Sequence, residues 1–339
     1  MKPSAAAVDQ TSRATNLIQR RTHQRRAMHN SISRRRAAKL IGATAAGAFL
    51  PHGAARLFAA AESTRHILRA IPSTGEKLPV IGLGSALTFD VRERSPAAQT
   101  VAEVLALFVR DGGKVLDTSP AYGNAESLVG DLAFKAGLTK SLFIATKVWT
   151  RSRPEGIAQM ERSLQRFRTR TLDLVQVHNL ADVDREMGLL NEWKAKGKIR
   201  YTGMTHSERK GHGEMERAMK VNRPDFIQIN YSLMDRAAAQ RLLPLAQEMR
   251  IAVLINRPLG GGGVFQVLAG KKLPAWAAEF DCHSWAQFLL KWIVSHPAVT
   301  CAIPATNDPK HLIDNMGAGL GRLPDAKMRA RMASLFVGF

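Results

Sequence analysis

The chain has 339 residues, with 49 Lys or Arg against 28 Asp or Glu and a formal charge of +21. This length accommodates two average domains or one large barrel. Two cysteines do not make a disulfide framework, which excludes a disulfide-rich protein. No apolar run reaches the roughly 18 residues of an ordinary membrane span, which excludes a protein with such a span.

The N-terminal 61 residues hold about half of the excess positive charge, with eleven basic residues and one acid. The motif Ser33-Arg-Arg-Arg-Ala-Ala-Lys39 precedes a weakly apolar core at residues 40–50 and small residues at 59–61. This pattern resembles a signal peptide of the twin-arginine class, and a short basic amphipathic helix is the alternative interpretation. Residues 1–27 are polar and Arg-rich, which predicts disorder, or a translation start at Met28 instead of Met1.

Residues 62–339 alternate strand-like and helix-like segments without a long linker. A hairpin is predicted first, from residues 66–71 and 78–80 around a turn at 73–76. Strands are then predicted at 78–84, 114–116, 142–146, 174–177, 199–204, 226–229, 252–255 and 300–303. The helices that follow them are predicted at 95–110, 124–136, 154–168, 184–196, 215–220, 237–248, 285–294 and 310–315. Ser95 caps the first helix, and Gly137 and Gly197 end two others.

Eight strand–helix units in series predict an α/β fold of the closed parallel kind, a (β/α)8 TIM barrel with a short N-terminal β-hairpin. A doubly wound open sheet is the alternative. It is disfavoured because no G-x-G-x-x-G motif follows the first strand. Residues 62–339 are therefore predicted to form one barrel domain after the basic segment and signal peptide of residues 1–61.

Three consecutive strands end on residues that carry chemistry. Asp117 ends the second strand, and Tyr122 follows five residues later in a turn. Lys147 ends the third strand, and His178 ends the fourth. Because barrel enzymes place their chemistry at the carboxyl ends of the strands, we expect these four side chains to share one site.

These four residues in this order, with the flanking D-T-S-x-x-Y-G, T-K-V-W and V-H-N, resemble the aldo-keto reductases. The resemblance extends from about residue 67 to the C-terminus. It implies an NAD(P)-dependent oxidoreductase that reduces aldehyde or ketone carbonyls to alcohols, with NADP or NAD as cofactor and a small carbonyl compound as substrate.

The resemblance also assigns roles to the four residues. Tyr122 donates the proton, and Lys147 lowers the pKa of its phenol, which is otherwise about 10. Asp117 pairs with Lys147 and keeps it charged and oriented. His178 polarises the substrate carbonyl or relays the proton.

The predicted cofactor site is less regular than the catalytic one. Asn256 occupies the place of the aromatic residue that commonly stacks on the nicotinamide. Ala305 and His311 replace the usual basic pair at the 2′-phosphate, and Lys310 is the nearby substitute, so a reduced preference for NADPH is expected. The resemblance assigns cofactor binding to Thr205, His206, Gln228, Asn256, Arg257, Leu259, Gly261, Thr306, Lys310, Asp314 and Asn315. In particular, the run 260–263 exposes backbone N–H groups suited to a pyrophosphate, with a mobile loop as the alternative.

Trp149 matches a wall of the substrate pocket in the family, and Phe89 and Leu87 are further apolar candidates. No metal site is predicted, because His206 and His212 have no third ligand near them in the sequence.

Further expectations concern the location of the protein and its binding partners. The signal predicts a partner, the twin-arginine export machinery, which would carry the folded protein with its cofactor to the periplasm; without a functional signal the protein is cytoplasmic. No basic run interleaved with aromatic residues appears in the body, so nucleic-acid binding is not expected. A non-catalytic, nucleotide-binding regulatory subunit is the alternative to the enzyme.

Overall fold

Eight parallel strands form the centre of the protein in the computed structural model, which describes residues 65–336. The predicted disordered segment and signal peptide at residues 1–61 lie outside the described residues. None of the helices in the described part of the chain is long and apolar enough to cross a membrane.

The strands pair in sequence order, each parallel to the next. They are β3 (Leu83–Gly84), β4 (Val115–Asp117), β5 (Phe143–Val148), β6 (Leu172–His178), β7 (Ile199–His206), β8 (Phe226–Asn230), β9 (Ala252–Asn256) and β10 (Cys301–Ala302). The first and last strands meet through parallel bridges between Ile81 and Ala302 and between Gly84 and Ala305. The sheet therefore curls back on itself, and the prediction of a (β/α)8 barrel is confirmed.

An antiparallel hairpin precedes the barrel, with β1 (Leu68–Ala70) paired to β2 (Lys77–Pro79). The phenol of Tyr201, at the start of β7, donates to Glu76 at 2.7 Å and so ties the hairpin to the end of the barrel opposite the strand tips. The sequence predicted one strand over 78–84. The structure divides this stretch, because Lys77–Pro79 pairs within the hairpin and only Leu83–Gly84 joins the barrel.

Ten α-helices are present among residues 65–336. They are α1 (Pro96–Arg110), α2 (Ala125–Lys135), α3 (Arg153–Arg166), α4 (Val183–Ala195), α5 (His212–Asn222), α6 (Leu242–Glu248), α7 (Gly263–Leu268), α8 (Trp285–Val294), α9 (Pro309–Gly317) and α10 (Ala326–Ser334). The main apolar core lies between their inner faces and the sheet, and a second apolar cluster fills the barrel. The Ser95 hydroxyl accepts from the N–H of Ala98, as predicted for the cap of α1.

Three features of the helical layer depart from the sequence prediction. Helix α5 is longer than the predicted 215–220. The predicted helix 237–248 is divided into a 3-10 turn at Ala237–Gln240 and α6. Two short helices, α7 and α10, were not predicted, because six and nine residues span too few turns to show a helical period.

A buried carboxylate ties α2 to β5 and α3. Glu126, in the first turn of α2, is fully buried and accepts from the Thr146 hydroxyl at 2.7 Å and the Ser163 hydroxyl at 2.8 Å. Its other oxygen accepts from Arg166 at 2.6 Å. Thr146 precedes Lys147 on β5, so this cluster fixes the strand beside the candidate catalytic lysine.

We predict that Glu126→Gln lowers the free energy of unfolding by about 2–4 kcal/mol, because it removes the charge that faces Arg166 at a buried position. The midpoint of urea unfolding, followed by circular dichroism, measures the change. Glu93→Gln is the matched control, because the ion pair of Glu93 with Lys135 of α2 is exposed and should contribute less than about 0.5 kcal/mol. Equal effects of the two variants would contradict the proposed importance of the buried cluster.

Candidate active site

Strand register brings the predicted catalytic residues to one end of the barrel. Asp117 is the last residue of β4, Lys147 is the fifth residue of β5, and His178 is the last residue of β6. Asp117 pairs in register with Ala145, and Lys147 with Gln176. Successive parallel strands therefore present the three side chains at neighbouring positions on the carboxyl edge of the sheet.

Asp117 and Lys147 form a buried ion pair. Lys147 is 1% exposed, and its Nζ donates to both carboxylate oxygens of Asp117 and to the main-chain oxygen of Thr118, each at 2.8 Å. The carboxylate also accepts from Gln228 at 2.7 Å and from Gln176 at 3.5 Å. Together these hydrogen bonds fix the ammonium group in position below the ring of Tyr122.

Tyr122 is held over this pair by the turn that follows β4. Its N–H donates to the main-chain oxygen of Ser119 at 3.0 Å, and its ring centroid lies 4.9 Å from Nζ of Lys147. Helix α2 starts directly after the turn, at Ala125. The Asn124 side chain does not cap this helix; instead its N–H donates to Asp90 at 2.8 Å.

The pKa shifts identify the protonation state of each group. Burial lowers the pKa of Lys147, but Asp117 and Tyr122 outweigh burial, so the pKa is raised and the ammonium stays charged. Burial raises the pKa of the Tyr122 phenol above 10, and the charge of Lys147 opposes that shift only in part. Lys147 lowers the pKa of the phenol, as expected, but burial raises it by more, so the net pKa lies above the usual value. At neutral pH the phenol is protonated.

His178 is neutral. Burial, followed by the charge of Lys147 and then by His206, lowers the pKa of the imidazole to about 3. The ring lies edge-on to Tyr122, with centroids 5.9 Å apart, and 5.5 Å from the ring of Trp149. An imidazole that stays neutral can donate a hydrogen bond from one nitrogen, so polarisation of a carbonyl is supported over proton relay through an imidazolium.

A cavity of about 990 Å³ opens beside these residues. Asp117, Tyr122 and His178 line one part of it. Of the predicted cofactor-binding residues, those that also line it are Thr205, Gln228, Asn256, Arg257, Leu259, Gly261, Thr306, Asp314 and Asn315. The structure therefore places most of the predicted site around one cavity, whose volume is at the upper end for cofactor and ligand sites.

Strands β7 to β9 supply a polar wall. The Thr205 hydroxyl donates to Oε1 of Gln228 at 2.9 Å, while the amide nitrogen of Gln228 donates to Asp117. Asn256, the last residue of β9, has a buried Oδ1 with no hydrogen-bond partner in the described part of the chain. Its Nδ2 donates to the main-chain oxygen of His206 at 3.5 Å.

The glycine run forms a tight turn at the cavity wall. Gly260, Gly261 and Gly262 have φ values of 57°, 68° and 89°, which side chains rarely adopt. The turn leads into α7 and exposes backbone instead of side chains to the cavity through Gly261 and Gly262.

The stretch at the start of α9 closes the far end of the cavity. Thr306 and Asn315 are buried, and Asp314 accepts from Gln287 at 2.8 Å. His311 lines the cavity, whereas Lys310 is exposed and does not. The suggestion that Lys310 substitutes for the missing basic pair is therefore not supported by its position.

Two other predicted positions need correction, and two stay predictions. Phe89 does not form a pocket wall, because its ring is 0% exposed and packs in the main core. His206 does not line the cavity: Nδ1 accepts from the N–H of Glu208 at 3.1 Å within its own turn, and Ser207 lines the cavity instead. Leu87 lines the rim and is 95% exposed, and Trp149 is 52% exposed beside His178, so their assignment as substrate walls remains a prediction.

Three groups that were not predicted are brought to the site by the fold. Gln176 reaches Asp117, and its inward direction was available from the two-residue period, because it precedes His178 by two. Ser284 and Trp285 line the cavity from the start of α8, and a helix that follows a strand tip begins at the same end of the barrel. Within residues 65–336, no group of three or more His, Cys, Asp or Glu side chains lies close enough to hold a metal ion.

Comparisons with known proteins agree with this geometry. The sequence model of the Aldo/keto reductase family matches residues 80–334. The chain is 28% identical over 245 residues to a methylglyoxal reductase of Escherichia coli K12, covering 70% of this chain and 84% of that protein. It is 29% identical over 210 residues to an NADH-specific methylglyoxal reductase of the same bacterium, covering 54% of this chain and 62% of that protein.

Solved structures show the same fold. An aldo/keto reductase from Klebsiella pneumoniae, in complex with NADP and acetate, is similar with a TM-score of 0.66 and 25% identity, covering 77% of this chain and 93% of that one. A second structure of an aldo-keto reductase from that organism, in complex with NADPH, is similar with a TM-score of 0.64 and 25% identity, covering 77% and 92% of the two chains.

Proposed function

The chain belongs to the aldo/keto reductase family and is an NAD(P)-dependent oxidoreductase, and we propose that it reduces small aldehyde or ketone carbonyls to alcohols at the cavity lined by Asp117, Tyr122 and His178. The observation that carries the proposal is the placement of the Tyr122 phenol, whose ring centroid lies 4.9 Å from the buried Nζ of Lys147 and whose ring is edge-on to the imidazole of His178. Two relatives named as methylglyoxal reductases make small 2-oxoaldehydes the first substrates to test.

The residues of the cavity fit a nicotinamide dinucleotide. The buried Oδ1 of Asn256, which has no hydrogen-bond partner among residues 65–336, would accept from a carboxamide N–H and so compensate for the missing stacking aromatic. The glycine turn lets backbone approach a pyrophosphate, and Thr306, Asp314 and Asn315 surround the end where an adenosine would lie. When bound, the cofactor supplies the hydride, which no side chain can provide.

The side chains perform the rest of the reaction. His178 orients the carbonyl oxygen by donating a hydrogen bond to it. Tyr122 transfers its proton to that oxygen as negative charge develops there, and Lys147 stabilises the phenolate that remains. Asp117 keeps Lys147 charged and in place. In the reverse direction the phenolate is the base, and because burial raises the pKa of Tyr122, alcohol oxidation should rise with pH across the neutral range.

We predict that Tyr122→Phe lowers kcat for aldehyde reduction by about 10²–10⁴-fold, because the proton donor is removed and nothing else in the site replaces it. Cofactor affinity should stay the same, since the hydroxyl is the only group lost. Lys147→Met should lower kcat by a similar factor, and the double variant should lose little more, because both groups act on one proton. Steady-state kinetics with methylglyoxal and fluorescence titration with NADPH and NADH provide the measurements.

Thermal unfolding of each variant is the control for correct folding, because Lys147→Met leaves the Asp117 carboxylate buried without its partner. Tyr122→Phe carries no such risk and is the decisive variant. Full activity in Tyr122→Phe would contradict the mechanism and favour the alternative of a non-catalytic, nucleotide-binding regulatory subunit.

The residues at the adenosine end of the cavity predict that the enzyme discriminates only weakly between NADPH and NADH. Ala305 and His311 stand where a basic pair would hold a 2′-phosphate. The carboxylate of Asp308 lies 3.9 Å from His311, and hydrogen bonds led by the N–H of Lys310 lower the pKa of Asp308, so an anion lies beside His311. Repulsion from this anion would offset the attraction of the general positive charge of the chain.

We predict that the ratio of kcat/KM for NADPH over NADH lies within about tenfold of one, and that Ala305→Lys with His311→Arg raises it about 10- to 100-fold per added phosphate contact. Lys310→Ala is the matched control and should leave the ratio unchanged, because Lys310 does not line the cavity. A wild-type preference for NADPH above about a thousandfold, abolished by Lys310→Ala, would contradict this assignment.

We further propose export to the periplasm by the twin-arginine machinery, supported by the motif Ser33-Arg-Arg-Arg-Ala-Ala-Lys39 and the weak apolar core that follows it. Export of the folded protein would allow the cofactor to be bound first. We predict that Arg34→Lys with Arg35→Lys retains the uncleaved precursor in the cytoplasm, as seen by fractionation and immunoblotting. Cleaved double variant in the periplasm would refute the twin-arginine route.

A further inference from the structure

Ser119 connects the turn of Tyr122 to the ring of His178. It is completely buried, and its main-chain oxygen accepts from the N–H of Tyr122 at 3.0 Å. Its hydroxyl oxygen accepts from the N–H of Ala121 at 3.1 Å and lies 3.4 Å from Nδ1 of His178. In the part of the chain that the structure describes, the hydroxyl has no other hydrogen-bond partner.

We propose that Ser119 is a positioning residue that fixes the tautomer and orientation of His178, so that Nδ1 accepts from the serine hydroxyl and Nε2 carries the proton presented to the substrate. A serine hydroxyl has one proton, and a neutral imidazole has one N–H. Because Ala121 already donates to Oγ, the remaining capacity of the hydroxyl is best satisfied by donation to Nδ1.

The opposite tautomer leaves the hydroxyl proton of Ser119 unsatisfied and turns Nε2 of His178 into an acceptor. If Nδ1 carried the proton, it would point at Oγ, and the hydroxyl proton of Ser119 would have no acceptor in a fully buried position. Buried donors without a partner are disfavoured in folded proteins. Nε2 would then be an acceptor, and it could not donate to a carbonyl oxygen.

The surroundings of His178 make its tautomer important for hydrogen bonding to the substrate. Burial and the charge of Lys147 keep the imidazole neutral, so it holds a single proton, and only one nitrogen can donate. The rings of Tyr122 and Trp149 lie 5.9 and 5.5 Å from the imidazole and leave little room for a flip. Because Nδ1 is directed at Ser119, Nε2 is the nitrogen left for the cavity that His178 lines.

The inference rests on the proposed role of His178 in carbonyl reduction, but its first test does not require turnover. The full chain is labelled with ¹⁵N-histidine, and long-range ¹H–¹⁵N spectra are recorded near neutral pH; the signal of His178, one of ten histidines, is assigned with His178→Gln. We expect a protonated Nε2 and an unprotonated Nδ1 with the shift of a hydrogen-bonded acceptor. A protonated Nδ1 would overturn the proposal.

Two substitutions test the role of the hydroxyl. In Ser119→Ala, Nδ1 should lose its hydrogen-bonded shift, and kcat should fall about five- to tenfold with unchanged NADPH affinity, as for loss of one orienting hydrogen bond. Ser119→Thr retains the hydroxyl and should restore both properties. An unchanged Nδ1 signal in Ser119→Ala would overturn the proposal, and if that variant does not fold, the wild-type spectrum decides alone. The expected spectrum in a wild-type protein inactive on every carbonyl would reject the proposed function and leave the tautomer assignment standing.

Discussion

The buried pair of Asp117 and Lys147 is the interaction on which the site depends. An unpaired charge at either position would be strongly unfavourable, since removing one partner of a buried ion pair typically costs about 3–5 kcal/mol. Both side chains arise from adjacent strands whose register is fixed by main-chain hydrogen bonds. The barrel therefore holds a full positive charge, almost without solvent, at the point where a phenol and an imidazole meet.

The charge of Lys147 acts on both of its neighbours, His178 and Tyr122. Burial and the charge of Lys147 lower the pKa of His178, so the imidazole stays neutral and can donate a hydrogen bond. The same charge also opposes the rise that burial causes in the pKa of Tyr122. A protonated phenol, a neutral imidazole and a charged amine are the states that carbonyl reduction requires at neutral pH. Burial keeps the phenol protonated, burial and the ammonium together keep the imidazole neutral, and Asp117 keeps the amine charged.

The sequence predicted the parts of the structure that depend on local pattern. Strand ends at Asp117, Lys147 and His178 were found because apolar runs stop there, and parallel strands place such residues on one edge. Phe89 was assigned to the wrong surface, because sequence does not show on which side of a loop a ring is buried. Likewise, the net shift in the pKa of Tyr122 depends on the balance of burial against one charge, and only coordinates give the depth of burial.

The two ends of the cavity are under different physical constraints, which explains why only one of them departs from the family pattern. Proton transfer needs a phenol, an amine and a carboxylate in fixed geometry, so no member of that set can be exchanged without losing the reaction. Cofactor binding sums many contacts of modest energy over a long ligand. Asn256, Ala305 and His311 can therefore replace the usual side chains, because the loss of one stacking or phosphate contact leaves the glycine turn and the remaining polar groups of the cavity unaffected.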